Sequence, residues 1–136
     1  MTSSNPNGPY DLAKSPIHLG NTTTAVQHNF GFDGPAFGAY VEKHSSETEP
    51  GRLAMIEESP EDWGAWECHT AADEIVIVLE GAGVFIQDIN GEEISMAFKA
   101  GDTVINPKGI WHTANVTEPM RAIYLTPCFG TEHRPR

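Results

Sequence analysis

Trp66-Glu67-Cys68-His69-Thr70-Ala71-Ala72-Asp73-Glu74 is the stretch on which the reading of this chain turns. Glu67 and His69 stand two apart in a strand-like run, so they point to one side of a sheet. Glu74 follows a short break and opens Ile75-Val76-Ile77-Val78-Leu79, which is apolar on both faces. Such a run is expected of a central strand buried on each side. Further along, Pro107-Lys108-Gly109 marks a turn, and His112 lies at the start of the strand after it. Two carboxylates and two imidazoles placed in this way could converge inside a small β-barrel. They form a ligand set for a divalent transition metal.

Outward from this stretch, strand signals arrive at short intervals. They fall at residues 39–41, 52–57, 64–69, 75–79, 84–89, 92–98, 103–106, 111–116 and 121–126. Gly81-Ala82-Gly83 is expected to end one strand, and Asn90-Gly91 is a strong hairpin signal between two others. Ile94, Met96 and Phe98 alternate with Ser95 and Ala97, giving that strand an inner and an outer face. Gly101-Asp102 is a further turn. A chain of 136 residues with 13 glycines, 10 prolines and no long helical heptad suits one domain of short strands and tight turns. The expected fold is all-β, a jelly-roll barrel whose mouth forms a small-ligand pocket. Pro6, Pro9, Pro16 and Pro35 break up residues 1–36, which are expected to form an irregular arm that packs on the barrel or reaches a partner subunit. The barrel is expected over residues 37–130 and a tail over 131–136.

The formal net charge is −11, from 8 basic and 19 acidic residues. Nucleic-acid binding needs the opposite sign clustered on one face, and anionic membrane surfaces are disfavoured for the same reason. No apolar run is long enough to span a bilayer. Residues 1–9 lack the basic and apolar regions of a signal peptide, so a cytoplasmic location is expected. Cys68 and Cys128 are the only cysteines and are expected to be reduced and structural. Cys68, between Glu67 and His69, should face away from any site they form.

At these residues the chain resembles the cupin superfamily, in its small single-domain form. Glu67-Cys68-His69 stands where the first cupin motif has His-x-His, and Glu74 and Gly81 follow at the motif's spacing. Gly101, Pro107, Gly109 and His112 fall in register with the second motif. The resemblance covers residues 50–127. The chain departs from the pattern at Glu61, where the motif opens on glycine, and at Asn115, one place early for the closing asparagine. It departs most at Glu67, which replaces the first histidine. The resemblance implies a double-stranded β-helix that binds a divalent metal and pairs as a homodimer through a sheet face.

The candidate metal ligands are Glu67, His69, Glu74 and His112. Matching motif positions raise His69 and His112 above ordinary structural histidines, and the spacing of Glu74 to Gly81 favours an inward carboxylate. Asp73 should face elsewhere. Glu67 has two readings. As a fourth ligand it makes a two-His, two-carboxylate site suited to Mn, Fe, Zn or Ni. As a non-ligand it is a general acid or base, with Glu74 the other candidate catalytic carboxyl. Beside Glu74 in a dry pocket, the Glu67 pKa should be raised by desolvation and by like-charge repulsion. Trp66 and Trp111 each precede an inward ligand, so both should lie on the outer sheet face. A partner subunit or the arm is expected to cover them, the alternative being one loop of the same chain. His18, His28 and His44 are expected on the surface or the arm, and His133 in the tail. Arg52 and Arg121 are weaker candidates for an anionic substrate. No glycine-rich phosphate loop is present.

Three functions fit. The first is a metal-dependent, non-redox enzyme, an isomerase, epimerase, lyase or dehydratase acting on a small polar carbonyl or hydroxy compound. The second is an Fe(II)-dependent dioxygenase. The third is a non-catalytic small-molecule binding or sensor module. Non-redox chemistry ranks slightly above oxygenation, and enzyme above binding module.

Overall fold

A computed structural model describes residues 7–20, 24–30, 34–47 and 50–136. The elements in chain order are β1 (Ile17–Leu19), β2 (Ala25–Gln27), α1 (Gly34–His44), β3 (Arg52–Ser59), β4 (Ala65–His69), β5 (Glu74–Ile89), β6 (Glu92–Lys99), β7 (Thr103–Asn106), β8 (Trp111–Pro127) and β9 (Thr131–Pro135). Every strand pairing among the described residues is antiparallel.

The architecture rests on one long ribbon. β5 and β8 pair along almost their whole length, from Ile75↔Leu125 to Asp88↔Trp111. The first half of β5 also pairs with β7, and the second half of β8 with β3, which carries β1 and β2 beyond it. The second half of β5 pairs with β6, and the first half of β8 with β4, which carries β9 beyond it. The ribbon therefore runs through two layers that curl against each other, the jelly roll expected from the turn spacing.

Two expected strand breaks turn out to be bends. Gly81-Ala82-Gly83 does not end a strand; it lies within β5, where the register against β8 shifts repeatedly between Val78 and Gly83. The expected strands at 111–116 and 121–126 are likewise one strand, β8. Glycine is needed at the bend. Gly81 has φ +95°, and a Cβ there would lie 2.7 Å from Met120 Cα. A Cβ on Gly83 would press on the Asn115 carbonyl and come within 2.8 Å of the Phe98 ring. A bulged, glycine-bearing strand can fold over without breaking its pairing. The Asn90-Gly91 hairpin does form, with both residues at positive φ, 55° and 83°. That is the backbone a type I′ turn requires.

The expected strand at 39–41 is instead part of α1. Phe37, Tyr40, Val41 and His44 recur at helical spacing and form its inward face, with Tyr40 and His44 buried. Pro35 sits at the first turn, where a missing N–H costs nothing, and Lys43 places a positive charge in the last turn. Among the described residues of the expected arm, β1 and β2 extend the sheet beyond β3, and the expected tail forms edge strand β9. No helix of the described residues is long and apolar enough to cross a membrane.

The core lies between the layers and includes Leu53, Val76, Val78, Phe85, Phe98, Met120 and Tyr124. Along the start of β5, Glu74, Val76 and Val78 point inward. Ile75 and Ile77 are only half-buried and Leu79 is exposed. This strand is therefore covered on one face, not two. Within β6 the alternation holds only toward its end, where Phe98 is buried and Ile94 is exposed.

Candidate metal centre

The antiparallel geometry brings the four expected side chains together. Glu67 and His69 share one face of β4, and Glu67 pairs directly with His112 at the start of β8. The Pro107-Lys108-Gly109 turn is tied to the same place, since Gly109 N–H donates to the His69 carbonyl at 2.8 Å. Glu74, at the head of β5, reaches in from the facing layer. Its Oε2 lies 3.1 Å from His69 Nε2 and its Oε1 lies 3.5 Å from His112 Nε2. Glu67 Oε1 lies 3.4 Å from His69 Nε2. One ligand atom each from Glu67, His69 and His112 fits within 4.8 Å of the others.

The hydrogen bonds around this group leave two nitrogens waiting. His69 Nδ1 contacts the Thr131 hydroxyl at 2.9 Å, and His112 Nδ1–H donates to the Ile110 carbonyl at 3.4 Å. With Nδ1 protonated in this way, His112 Nε2 carries the lone pair. Both Nε2 atoms are buried and neither has a hydrogen-bond partner. Glu74 is close to both, but its oxygens lie off the direction a ring hydrogen bond needs. Buried polar atoms are seldom left so. A divalent transition metal accepts lone pairs from neutral imidazole and charge from carboxylate, so the donor set fits such an ion.

Glu74 is held from several sides. Asn106 Nδ2 donates to Oε1 at 3.0 Å and the Thr126 hydroxyl donates to Oε2 at 2.7 Å. Gln87 Nε2 in turn donates to Asn106 Oδ1 at 3.0 Å and to the Ile105 carbonyl at 2.7 Å. Burial acts to raise the Glu74 pKa, but His69, His112 and Thr126 outweigh it and hold the carboxyl below its usual range. Glu67 goes the other way, pushed up by burial and by the Glu74 charge, with His69 and His133 opposing. The rise expected for Glu67 from burial and like charge is therefore present, and the donors on Glu74 keep that carboxyl from rising with it. Burial lowers both histidines, and His112 falls to about 4. For His69 the Glu74 and Glu67 carboxylates prevail, and its pKa is raised.

Glu67 and Glu74 line a cavity of about 520 Å³, walled by Phe37 and Tyr40 of α1 with Trp63 and Tyr124 opposite. That volume suits a small ligand, and one polar end in an aromatic chamber can orient it. Asp73 faces away and accepts the Lys108 N–H at 2.7 Å. Cys68 is buried on the far side of β4, and both cysteines are free thiols. Arg52 donates to the Asp73 carbonyl, and Arg121 lies 3.8 Å from Glu58, so neither faces the cavity.

Other residues enter from outside the expected set. β9 places His133 across from Glu67 and Thr131 across from His69. Asn106, Thr126 and Tyr124 were also missed. Parity offered a signal for each, since Asn106 pairs with Glu74, and Tyr124 and Thr126 alternate inward on β8. Among the described residues, β9 lies over the Trp66–Trp111 pair. The Arg134 guanidinium of β9 lies 5.2 Å from one ring centroid and 4.7 Å from the other. His18 and His44, expected near the surface, are 0% and 6% exposed.

Two curled antiparallel layers with a histidine–carboxylate cluster in the mouth define a small barrel with a candidate metal site. The model of the cupin domain family matches residues 54–126, and the chain belongs to that family. No curated protein matches it in sequence. Among solved structures it is similar to salicylate 1,2-dioxygenase from Pseudoaminobacter salicylatoxidans, at 12% identity and TM-score 0.52, over 68% of this chain and 26% of that one. It is also similar to hydroxypropylphosphonic acid epoxidase from S. wedmorenis, at 14% and 0.49, over 55% and 43% of the two chains. A cupin-2 domain containing protein from Shewanella frigidimarina matches at 22% and 0.44, over 56% and 70%. This chain thus spans less than half of either enzyme. The likeness is one of fold.

Proposed function

We propose that this chain is a metal-dependent cupin enzyme of the non-redox kind, an isomerase, epimerase, lyase or dehydratase acting on a small polar carbonyl or hydroxy compound. One observation carries the reading: two neighbouring carboxyls are driven apart in pKa, Glu74 down and Glu67 up. A pair separated in this way supplies one fixed anion and one group that takes up a proton more readily than an ordinary carboxylate.

His69, His112 and Glu74 would hold the ion, of the Mn, Fe, Zn or Ni class. When bound it would act as a Lewis acid on a carbonyl or hydroxyl oxygen. Glu67 takes up or returns the proton on the neighbouring carbon. Its side chain is 28% exposed, against 3% for Glu74, so it can reach both substrate and solvent. His133 lies 3.7 Å from Glu67 Oε2 on the solvent side, with a side chain 62% exposed, and gives the proton a way out. The aromatic walls limit water around the reacting carbon and favour compounds with a short apolar part.

The test is solvent isotope exchange. Protein loaded in turn with Mn, Fe(II), Ni and Zn is incubated in D2O with small keto acids, hydroxy acids and sugars, and deuterium uptake is followed by NMR. Metal-dependent exchange beside the carbonyl is expected, lost in Glu67→Gln while the metal is retained. Exchange that survives Glu67→Gln overturns the role of Glu67. Oxygen uptake by the iron form without exchange favours the dioxygenase, and binding without turnover favours the sensor module.

A further inference from the structure

A second group of metal-ligating side chains lies outside the barrel mouth, and the proposed chemistry does not use it. His18 comes from β1, Glu47 from the segment after α1, and Cys128 from the end of β8. One ligand atom from each fits within 4.8 Å of the others. His18 is fully buried and Cys128 is 4% exposed. His18 Nε2 lies 3.0 Å from Glu47 Oε1, and His44 Nδ1 lies 3.7 Å from the same oxygen. The His18 and His44 rings stack at 3.4 Å, and His44 Nε2 lies 3.1 Å from His28 Nε2. One interior corner thus holds three imidazoles, a carboxylate and a thiol.

Hydrogen bonding accounts for part of this arrangement, but apolar side chains would fill the corner at less desolvation cost. The spacings suit ligands. Two donors on one tetrahedral ion at zinc–nitrogen lengths stand about 3.3 Å apart, and the His18–Glu47 contact is close to that. The supports suit ligands too. Tyr40 OH engages His18 Nδ1 at 3.0 Å, which leaves Nε2 turned to Glu47. Gly51 N–H donates to Glu47 Oε2 at 3.1 Å. Gly51 also makes room, because a Cβ there would lie 2.6 Å from His18 Cε1.

We infer that His18, Glu47 and Cys128 form a second site for a borderline-soft divalent cation of the zinc type. The mixed nitrogen, oxygen and sulfur set disfavours calcium and magnesium. Glu47 and a Cys128 thiolate together balance the two positive charges, the thiol proton being released when the ion binds. The site would tie β1 and α1 to the ends of β3 and β8. Because Tyr40 and Cys128 also line the cavity, it would fix one wall of the pocket.

Cobalt(II) tests this on the full-length, metal-stripped chain, because the barrel-mouth set contains no sulfur. Two equivalents are expected to bind, one of them giving a near-ultraviolet thiolate-to-cobalt charge-transfer band. The band should vanish in Cys128→Ser and need about tenfold or more cobalt in Glu47→Gln. It should persist in Cys68→Ser and in the His69→Gln/His112→Gln double variant, with circular dichroism reporting the fold. No band in the wild type, a band that survives Cys128→Ser, or a band lost in Cys68→Ser overturns the site. If Cys128→Ser does not fold, Glu47→Gln decides: an unchanged cobalt titration overturns the proposal.

Discussion

His133 on β9 stands directly across from Glu67 on β4, with its Nε2 3.7 Å from Glu67 Oε2. His133 in its charged form is one of the groups that hold the Glu67 pKa down. His133→Gln should therefore let it rise. The change should be less than about half a pH unit, because His133 is mostly exposed and water screens it. NMR titration of the Glu67 carboxyl carbon in metal-free protein reads this directly, and a fall would contradict the assigned contact.

Asn106 is the hinge between Gln87 and Glu74, and it is fully buried. Asn106→Leu keeps the volume but leaves Glu74 Oε1 and Gln87 without this partner. The expected cost is about 1–3 kcal/mol of stability, with metal affinity weakened about 10- to 100-fold. Urea unfolding and isothermal titration with Zn or Mn measure the two effects. Unchanged affinity would mean that Glu74 does not depend on Asn106 for its position.

The glycines divide into two kinds. Gly83→Ala pushes a methyl group against the Asn115 carbonyl and the Phe98 ring, at the point where β5 bends. It should cost about 3 kcal/mol or more. Gly101→Ala meets nothing within 4 Å, and its only penalty is the positive φ of 95°, about 1 kcal/mol. Comparable melting temperatures for the two variants would contradict the bend as described.

Arg134 links β9 to the outer face of the barrel. Its guanidinium faces the Trp66 and Trp111 rings and pairs with Asp88 Oδ2 at 2.9 Å. Arg134→Ala should cost about 1–2 kcal/mol and shift tryptophan emission to the red as both rings meet water. An unshifted spectrum would mean that something else covers them.

Much of the barrel mouth is legible in the sequence because it depends on local parity. Glu67 and His69 must share a face, and the Pro107-Lys108-Gly109 turn must return the chain near them. What escaped reading depends on tertiary pairing. β9 has the composition of a polar tail and becomes a strand only by lying along β4. β5 and β8 looked broken because glycine or a charged turn-like stretch interrupts them, yet the ribbon bends there and continues. Ala39, Tyr40 and Val41 alone have the composition of a strand, and the helical spacing of α1 shows only when Phe37 and His44 are included. His18, Glu47 and Cys128 are each unremarkable alone and meet only because β1 and β8 flank β3.

In metal-stripped protein the buried histidines should cost stability as pH falls from about 6.5 toward 4. Burial, chiefly, lowers His112 and His28 to about 4 and also lowers His44. In that window the unfolded chain binds more protons than the native one, so each lowered histidine favours unfolding as pH drops. For His112 alone, from 6.5 to about 4, the loss approaches about 3 kcal/mol. His69 opposes this. Its raised pKa gives a contribution that is full below 6.5 and fades as pH rises through the folded value. Glu74, lowered, contributes above the ordinary carboxyl range and is lost only as pH falls through its folded value. Glu67 and Glu57, raised by burial, also oppose it, because the native chain protonates them at a higher pH than the unfolded one. The His112 share is isolated by substitution: urea midpoints measured between about pH 6.5 and 4.5 should fall less steeply, or rise more, in His112→Gln than in the wild type. Adding metal should steepen the acid limb, since protons then compete with the ion for His69. A pH slope unchanged by His112→Gln would mean that this imidazole is not held neutral by the fold.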